Sequence, residues 1–116
     1  MKEMYAMNEQ IKTYLDKFPK ETTDMFIELR RLIYDSVSSN LEEKMWAKLP
    51  SYYVGEKFVR LIAFKDHINI EATAIILHKN ELQGYKITPK GMLQIYVNQE
   101  MPKEALKRIF TEALGE

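Results

Sequence analysis

The sequence predicts an α+β fold, a two-layer sandwich in which N- and C-terminal helices pack on one face of an antiparallel sheet of about five to six strands. Apolar residues recur at helical spacing near both ends of the chain. Between them, apolar and polar residues alternate and short turn sequences follow one another. Helices grouped at the ends of a run of strands are typical of this class. The 116 residues are predicted to form a single domain over 1–116, with residues 1–7 disordered.

Two helices are predicted in the N-terminal third of the chain. The first covers about 8–17, and Asn8 is a suitable N-cap for it. Its apolar face comprises Ile11, Tyr14, Leu15 and Phe18. Pro19 suits the start of a second helix over about 20–38. The apolar stripe of that helix comprises Met25, Phe26, Leu29, Leu32, Ile33 and Val37.

The region 42–71 predicts three or four antiparallel strands joined by short turns. Alternation over 44–49 predicts one half-buried strand, with Met45, Ala47 and Leu49 towards the helices and Trp46 outward. The run 58–64 is apolar on both faces, which is typical of a central strand.

The C-terminal part is predicted to contain two more strands and a helix. Residues 72–82 are ambiguous, because their composition allows a short helix that Gly84 would end. Strands are predicted over 85–87 and 92–97, and Pro102 opens a final amphipathic helix.

Composition excludes several kinds of chemistry. The chain has no cysteine, which excludes disulfides, thiolate metal sites and cysteine nucleophiles. Seventeen basic residues balance seventeen acidic ones, so no general attraction to nucleic acid or to an anionic membrane is predicted. The first five residues lack the apolar core of a signal peptide, and a cytoplasmic location is expected.

Four motifs, in order and spacing, resemble the YdhG-like family, a bacterial domain of unknown function. They are Lys44-Met45-Trp46, Leu49-Pro50-Ser51-Tyr52, Phe64-Lys65-Asp66-His67-Ile68, and Gly84-Tyr85-Lys86 with Pro89-Lys90-Gly91. The resemblance covers roughly Ile11 to Leu114. The segment 72–83 is more compact than is usual in such families.

The resemblance implies a function, because members of this family have been described as frataxin-like intracellular iron chaperones. Such proteins bind iron weakly through carboxylates and deliver it to iron–sulfur cluster or haem assembly proteins. In frataxin-like proteins the sheet face that carries the tryptophan docks the assembly scaffold. The expected cofactor is therefore weakly bound iron, and the expected partners are those assembly proteins.

Acidic residues on the second helix and just beyond it are the candidate iron ligands. The four on the helix fall within roughly a 60° sector beside the apolar stripe, and they are Glu21, Asp24, Glu28 and Asp35. Oxygen ligands suit hard cations, and a row of carboxylates offers weak, exchangeable sites. The alternative is an ordinary solvated helix face. The candidates are Glu21, Asp24, Glu28, Asp35, Glu42 and Glu43.

The outer sheet face is the second candidate site, because alternation turns several aromatic and polar residues outward together. The candidates for binding a partner or ligand are Trp46, Lys65, His67, Lys86, Gln94 and Tyr96. The alternatives are that Trp46 is buried beneath residues 72–83, or by a second copy in a weak homodimer.

No enzyme activity is predicted, since no nucleophile motif, paired-histidine motif or acidic metal loop is present. Three hypotheses follow. The first is an iron-binding and delivery protein, either a monomer or a weak homodimer. The second is a non-enzymatic module that binds a small ligand or a protein on the open sheet face. The third is a dimer with a purely structural interface there.

Overall fold

The computed structural model, which describes residues 6–38 and 40–115, has an α+β fold with helices on one face of a six-stranded antiparallel sheet. The α-helices are α1 Glu9–Leu15, α2 Lys20–Ser36 and α3 Lys103–Ala113. The strands are β1 Glu42–Trp46, β2 Leu49–Val54, β3 Lys57–Ala63, β4 His67–Glu71, β5 Lys86–Ile87 and β6 Leu93–Tyr96. This confirms the predicted fold class.

Sequence capping signals explain where the helices begin. The Asn8 side chain accepts hydrogen bonds from the backbone N–H groups of Gln10 and Ile11, which otherwise have no helical partner. Pro19 precedes α2 in an extended conformation, and Pro102 precedes α3. The first two helices end earlier than predicted: α1 ends at Leu15 and α2 ends at Ser36.

The sheet order is β1-β2-β3-β4-β6-β5, so the first four strands form a meander. The β5–β6 hairpin joins through β6, which pairs with β4. Segment 72–82, ambiguous in sequence, contains a 3-10 helix over Thr73–Leu82 that packs on α3. His78 departs from helical geometry in the middle of it.

One predicted strand is instead a hairpin. The chain turns at Ala47–Lys48, and Leu49 becomes the cross-strand partner of Trp46. Both turn residues have positive φ, 51° for Ala47 and 67° for Lys48, which is the geometry of a type I′ turn. The predicted alternation through Ala47, Lys48 and Leu49 is therefore wrong. Neither turn residue is a Gly or Asn, so the usual hairpin signal is missing.

The core lies between the helices and one face of the sheet. Inward residues of the central strands are fully or almost fully buried: Val59, Leu61, Ala63, Ile68, Ile70, Leu93 and Ile95. Phe26, Ile33 and Phe110 cover them from the helices. Disorder was predicted for residues 1–7, and residues 1–5 of these lie outside the described residues. Met7 packs against the core, and the Ala6 carbonyl accepts a hydrogen bond from Arg30.

Candidate functional site

The sheet face opposite the helices carries a group of apolar and aromatic side chains. Register places Ile62 beside Asn69, and His67 beside Tyr96, on this face. Trp46 is 52% exposed and Phe64 is 40% exposed. We call Trp46, Ile62, Phe64, His67 and Tyr96 the aromatic patch. It spans strands β1, β3, β4 and β6 and the turn after β3.

Trp46 lies over a guanidinium. The Arg60 Cζ atom is 4.1 Å from the centroid of the Trp46 ring and 4.2 Å from that of Phe58. A cation on an aromatic face is attracted by the ring quadrupole. The indole is therefore held against the sheet rather than extending freely into solvent.

Arg60 is itself held by three hydrogen bonds. Its Nε donates to Ser51 Oγ at 2.8 Å, Nη2 donates to Tyr53 Oη at 3.0 Å, and Nη1 donates to Glu71 Oε1 at 3.0 Å. The arginine is buried although it lies on the open face. Rigid anchoring of this kind keeps Trp46 in one position before anything binds to it.

The other side of the patch is a stack of three rings. His67 lies between Phe64, at a centroid distance of 4.5 Å and an angle of 11°, and Tyr96, at 4.8 Å. The Nδ1 atom of His67 is 2.8 Å from an oxygen of Asp66. The histidine is thus packed by rings and oriented by a carboxylate, as in a structural histidine.

A short polar network borders this stack. Gln94 donates to Asn69 Oδ1 at 3.1 Å, and the Tyr96 hydroxyl donates to Gln94 Oε1 at 3.1 Å. Gln94 is buried, and both ends of its amide are hydrogen-bonded within this network. It positions the Tyr96 ring.

The structure brings five of the six predicted sheet-face residues onto one face. Trp46, His67, Gln94 and Tyr96 lie there, and Lys86 stands opposite Gln94 in the register. Lys65 lies in the turn after β3, where its carbonyl accepts a hydrogen bond from Thr22 at 2.7 Å. Trp46 is not covered by residues 72–82, because that segment packs on α3.

The six predicted iron ligands are not brought together. Glu21, Asp24 and Glu28 line one groove of about 300 Å³ beside Met101. Asp24 pairs with Lys20 at 2.7 Å, and Glu28 pairs with Lys103 at 2.7 Å. Over 6–38 and 40–115, no three His, Asp or Glu residues are grouped to hold a metal ion.

The other three predicted ligands lie apart from this groove and from one another. Asp35 is exposed near the end of α2. Glu42 is exposed on β1, 3.6 Å from Lys44. Glu43, the next residue, points to the helix side and forms a buried ion pair with Arg30.

Glu43 is the centre of a buried network. Its carboxylate accepts hydrogen bonds from Arg30 Nε at 2.6 Å, from the Tyr52 hydroxyl at 2.8 Å and from the Asn8 backbone N–H at 3.0 Å. Burial alone would raise the pKa of Glu43, but these donors hold it below its usual value. Burial and the adjacent Glu43 charge raise the pKa of Tyr52. Glu43 therefore joins α1, α2, β1 and β2.

Sequence reasoning missed Arg60 as a functional residue. A signal was present, because an arginine in the apolar run 58–64 must find a partner if that strand is central. The residues that hold it come from neighbouring strands, so their contact required the sheet register. The role of Glu43 was missed for the same reason, since Arg30 is on a different element.

The fold and this face define an α+β protein with helices on one side of its sheet and an aromatic patch on the other. Among the described residues, no helix combines the length and apolar character needed to cross a membrane. Comparisons with protein-family models, curated proteins and solved structures gave no match.

Proposed function

We propose that this protein is a non-enzymatic binding module that docks a partner protein on its open sheet face. The observation that carries the proposal is the aromatic patch, where Trp46 is half-exposed yet held in place by Arg60. Tryptophan and tyrosine concentrate binding energy at protein interfaces. A pre-positioned aromatic ring loses little conformational entropy when a partner covers it.

The shape of the face favours a protein over a small molecule. Small-ligand sites are usually concave and enclose most of the ligand. The patch instead lies on the pleated surface of a sheet, spread over β1, β3, β4 and β6. A surface spread over several strands fits the area of a protein interface.

Charge around the patch indicates the character of the partner. Lys48, Lys65 and Lys86 lie in the adjoining turns and strand, and none of them forms an ion pair with the described residues. A partner with an apolar centre and acidic residues at its rim would complement this surface. The resemblance to the YdhG-like family would make that partner an iron–sulfur or haem assembly protein.

The test is a titration of the isotope-labelled protein with the purified iron–sulfur scaffold protein of the same genome, followed through amide spectra. We expect shifts on β1, β4 and β6 around Trp46, His67 and Tyr96, and their loss in Trp46→Ala. Leu77→Ala is the matched control, because Leu77 is an exposed apolar residue on the segment packed on α3. Shifts restricted to the helices, or unaffected by Trp46→Ala, would reject the patch as the docking site.

A second copy of the chain is the alternative occupant of this face. Dilution separates the two cases, because a homodimer changes its elution volume and Trp46 fluorescence with protein concentration. Concentration dependence that Trp46→Ala abolishes would replace the partner-protein proposal with self-association.

Iron binding and delivery is a second candidate function. It is favoured by the groove that Glu21, Asp24 and Glu28 line, since oxygen ligands suit iron. Lys20 and Lys103 partly neutralise these carboxylates, so any site there would be weak and exchangeable. Weak binding is compatible with delivery to an acceptor.

Anaerobic titration with ferrous iron tests this second candidate. Paramagnetic broadening of amides along 21–28 is expected, and its loss in Asp24→Asn with Glu28→Gln. The control variant is Glu9→Gln with Glu56→Gln, which removes two exposed carboxylates elsewhere. Unchanged spectra at several equivalents of iron would rule out iron binding and leave the docking proposal standing.

A further inference from the structure

Within the described part of the chain, β5 is an edge strand of the sheet. This strand, Lys86–Ile87, is last in the sheet order, and its one neighbour there is β6. The Thr88 N–H donates to the Met92 carbonyl at 2.8 Å, and the Thr88 carbonyl accepts from the Gly91 N–H at 2.8 Å, so both backbone groups of Thr88 point towards β6 and the turn before it. Hydrogen-bonded and non-hydrogen-bonded pairs alternate in antiparallel ladders. The backbone N–H and carbonyl of Ile87 therefore point away from β6, towards the free edge.

An apolar groove of about 410 Å³ lies beside this edge, between β5 and the segment Thr73–Leu82. Its lining residues are Ile76, Lys79, Leu82, Gln83, Tyr85, Ile87 and Thr88. Ile76 is 57% exposed, although it is a large apolar residue. The groove is on the helix side of the sheet, because Ile87 stands opposite the buried Leu93 in the register.

Three exposed lysines surround the edge and the groove. Lys79 lines the groove, Lys86 lies on β5 itself and Lys90 is in the turn between β5 and β6. None of these three ammonium groups pairs with a carboxylate within 6–38 and 40–115. By contrast, the nearby Glu81 carboxylate already pairs with Arg108 and contacts His78. The edge and the groove therefore carry three exposed positive charges next to an apolar surface.

The two faces of β5 differ, and this difference sets the pattern of any strand added to it. A strand alternates its side chains between the two faces of the sheet. On the helix side an added strand would meet Ile87, Ile76 and Leu82. On the open side it would meet Lys86, which stands opposite Gln94. An apolar residue suits the first environment and a carboxylate suits the second.

We propose that the β5 edge binds an extended polypeptide segment of alternating apolar and acidic residues, which adds as a seventh strand. Backbone hydrogen bonds to Ile87 supply the strand pairing. The groove receives the apolar side chains, and the carboxylates face the open side of the sheet, where Lys86 lies. This mode of recognition is β-strand addition to an exposed sheet edge. It uses a different surface from the aromatic patch and does not depend on the proposed docking there.

The test uses synthetic heptapeptides with the labelled protein. The probe is acetyl-Glu-Val-Glu-Val-Glu-Val-Glu-amide, and the comparison is the same peptide with lysine in place of glutamate. We expect the acidic peptide to shift the amides of Ile87, Ile76 and their neighbours, and to bind at least about tenfold more tightly than the basic one. A third peptide, N-methylated at the residues that face β5, is expected to lose binding.

Variants of the protein separate this site from general charge attraction. Lys86→Glu is expected to weaken binding of the acidic peptide about tenfold, because Lys86 lies on the face that its carboxylates share. Lys107→Glu is the control, because it reverses an exposed charge on α3 away from the edge. The proposal is overturned by any of three results: no shifts at millimolar peptide, equal binding of the acidic and basic peptides, or full binding of the N-methylated peptide.

Discussion

Arg30 on α2 and Glu43 on β1 form a buried ion pair, with Nε and Oε2 only 2.6 Å apart and side chains 5% and 6% exposed. Both partners make further hydrogen bonds, since Tyr52 and Asn8 also donate to the carboxylate and Arg30 Nη2 donates to the Ala6 carbonyl. The preceding residue, Glu42, is exposed on the other face of the same strand. One carboxylate is therefore buried in an ion pair and its neighbour is in solvent, so mutating each in turn compares a buried with an exposed carboxylate.

Glu43→Gln is expected to destabilise the protein by about 3 kcal/mol, because it leaves the buried Arg30 charge without a counter-charge. Glu42→Gln should change stability by less than about 0.5 kcal/mol. Urea denaturation midpoints of the two variants and the parent measure both values. Equal midpoints for Glu43→Gln and Glu42→Gln would show that the negative charge of Glu43 contributes no net stability.

The same network predicts acid sensitivity. The pKa of Glu43 is lower in the folded protein than its ordinary value of 4.5. Its contribution is therefore fully present above the unfolded-state pKa and is lost as the pH falls through the folded-state pKa. Stability measured between pH 7 and pH 3 should fall less steeply below pH 4.5 in Glu43→Gln than in the parent. Parallel curves would contradict the prediction.

His78 predicts the opposite pH dependence. Its Nδ1 lies 2.6 Å from Glu81 and its Nε2 lies 2.9 Å from Glu112, while Arg108 also pairs with Glu81. The hydrogen bond to Glu81, with that to Glu112, raises the pKa of His78 above its ordinary 6.5. This contribution is fully present below the unfolded-state pKa and is lost as the pH rises through the raised folded-state pKa.

The measurement for His78 is an NMR titration of its imidazole protons, with thermal unfolding followed over the same pH range. We expect a titration midpoint above 6.5 and a loss of stability on the alkaline side. His78→Gln should remove that loss, and Glu112→Gln should lower the midpoint. A midpoint at or below the ordinary value would mean that the carboxylates do not hold the proton.

The β1–β2 turn offers a stabilising substitution. Ala47 and Lys48 both have positive φ, which is costly for residues with a Cβ atom. Ala47→Asn with Lys48→Gly supplies the residues that type I′ turns prefer and should stabilise the protein by about 1 kcal/mol. Gly55→Ala is the reverse control, since Gly55 has φ of 63° with no atom near its Cβ position. It should destabilise through backbone strain alone.

Arg60 is expected to determine how Trp46 moves. In Arg60→Gln the cation beneath the indole is lost, and the anisotropy of Trp46 fluorescence should decay faster. Lys44→Gln is the control, because Lys44 lies on the same strand as Trp46 but its ammonium is over the Tyr53 ring, 4.6 Å from the centroid. If the two variants have the same anisotropy decay, Arg60 does not anchor the tryptophan.

The sequence was sufficient to predict the fold class, the three α-helices and which side chains of β4 and β6 face the helices. These depend on local periodicity, such as the alternation of Ile68 and Ile70 with His67 and Asn69. The outward positions of Trp46 and Tyr96 followed from the same rule. The Ala47–Lys48 turn was not predictable, because tertiary pairing overrides the preference for Gly or Asn there.

Long-range partners were beyond local patterns. Arg30 and Glu43 lie on different elements, as do Arg60 and Glu71, so neither pairing could be inferred from spacing. The helical wheel placed Glu21, Asp24, Glu28 and Asp35 in one sector, and only the first three line a common groove. It could not show that Lys20 pairs with Asp24 or that Lys103 pairs with Glu28. Whether these carboxylates bind iron stays a prediction.

The meander of β1 to β4 has a consequence for the order of folding. Each of these strands pairs with its neighbour in sequence, so each hairpin closes a short loop at small entropic cost. Residues 72–92 separate β4 from β6 in sequence, so the pairing of these two strands closes a longer loop. Low contact order favours rapid formation of the first four strands. In pulse-labelling hydrogen exchange, amides of β2 and β3 should become protected first, and those of the β5–β6 hairpin last.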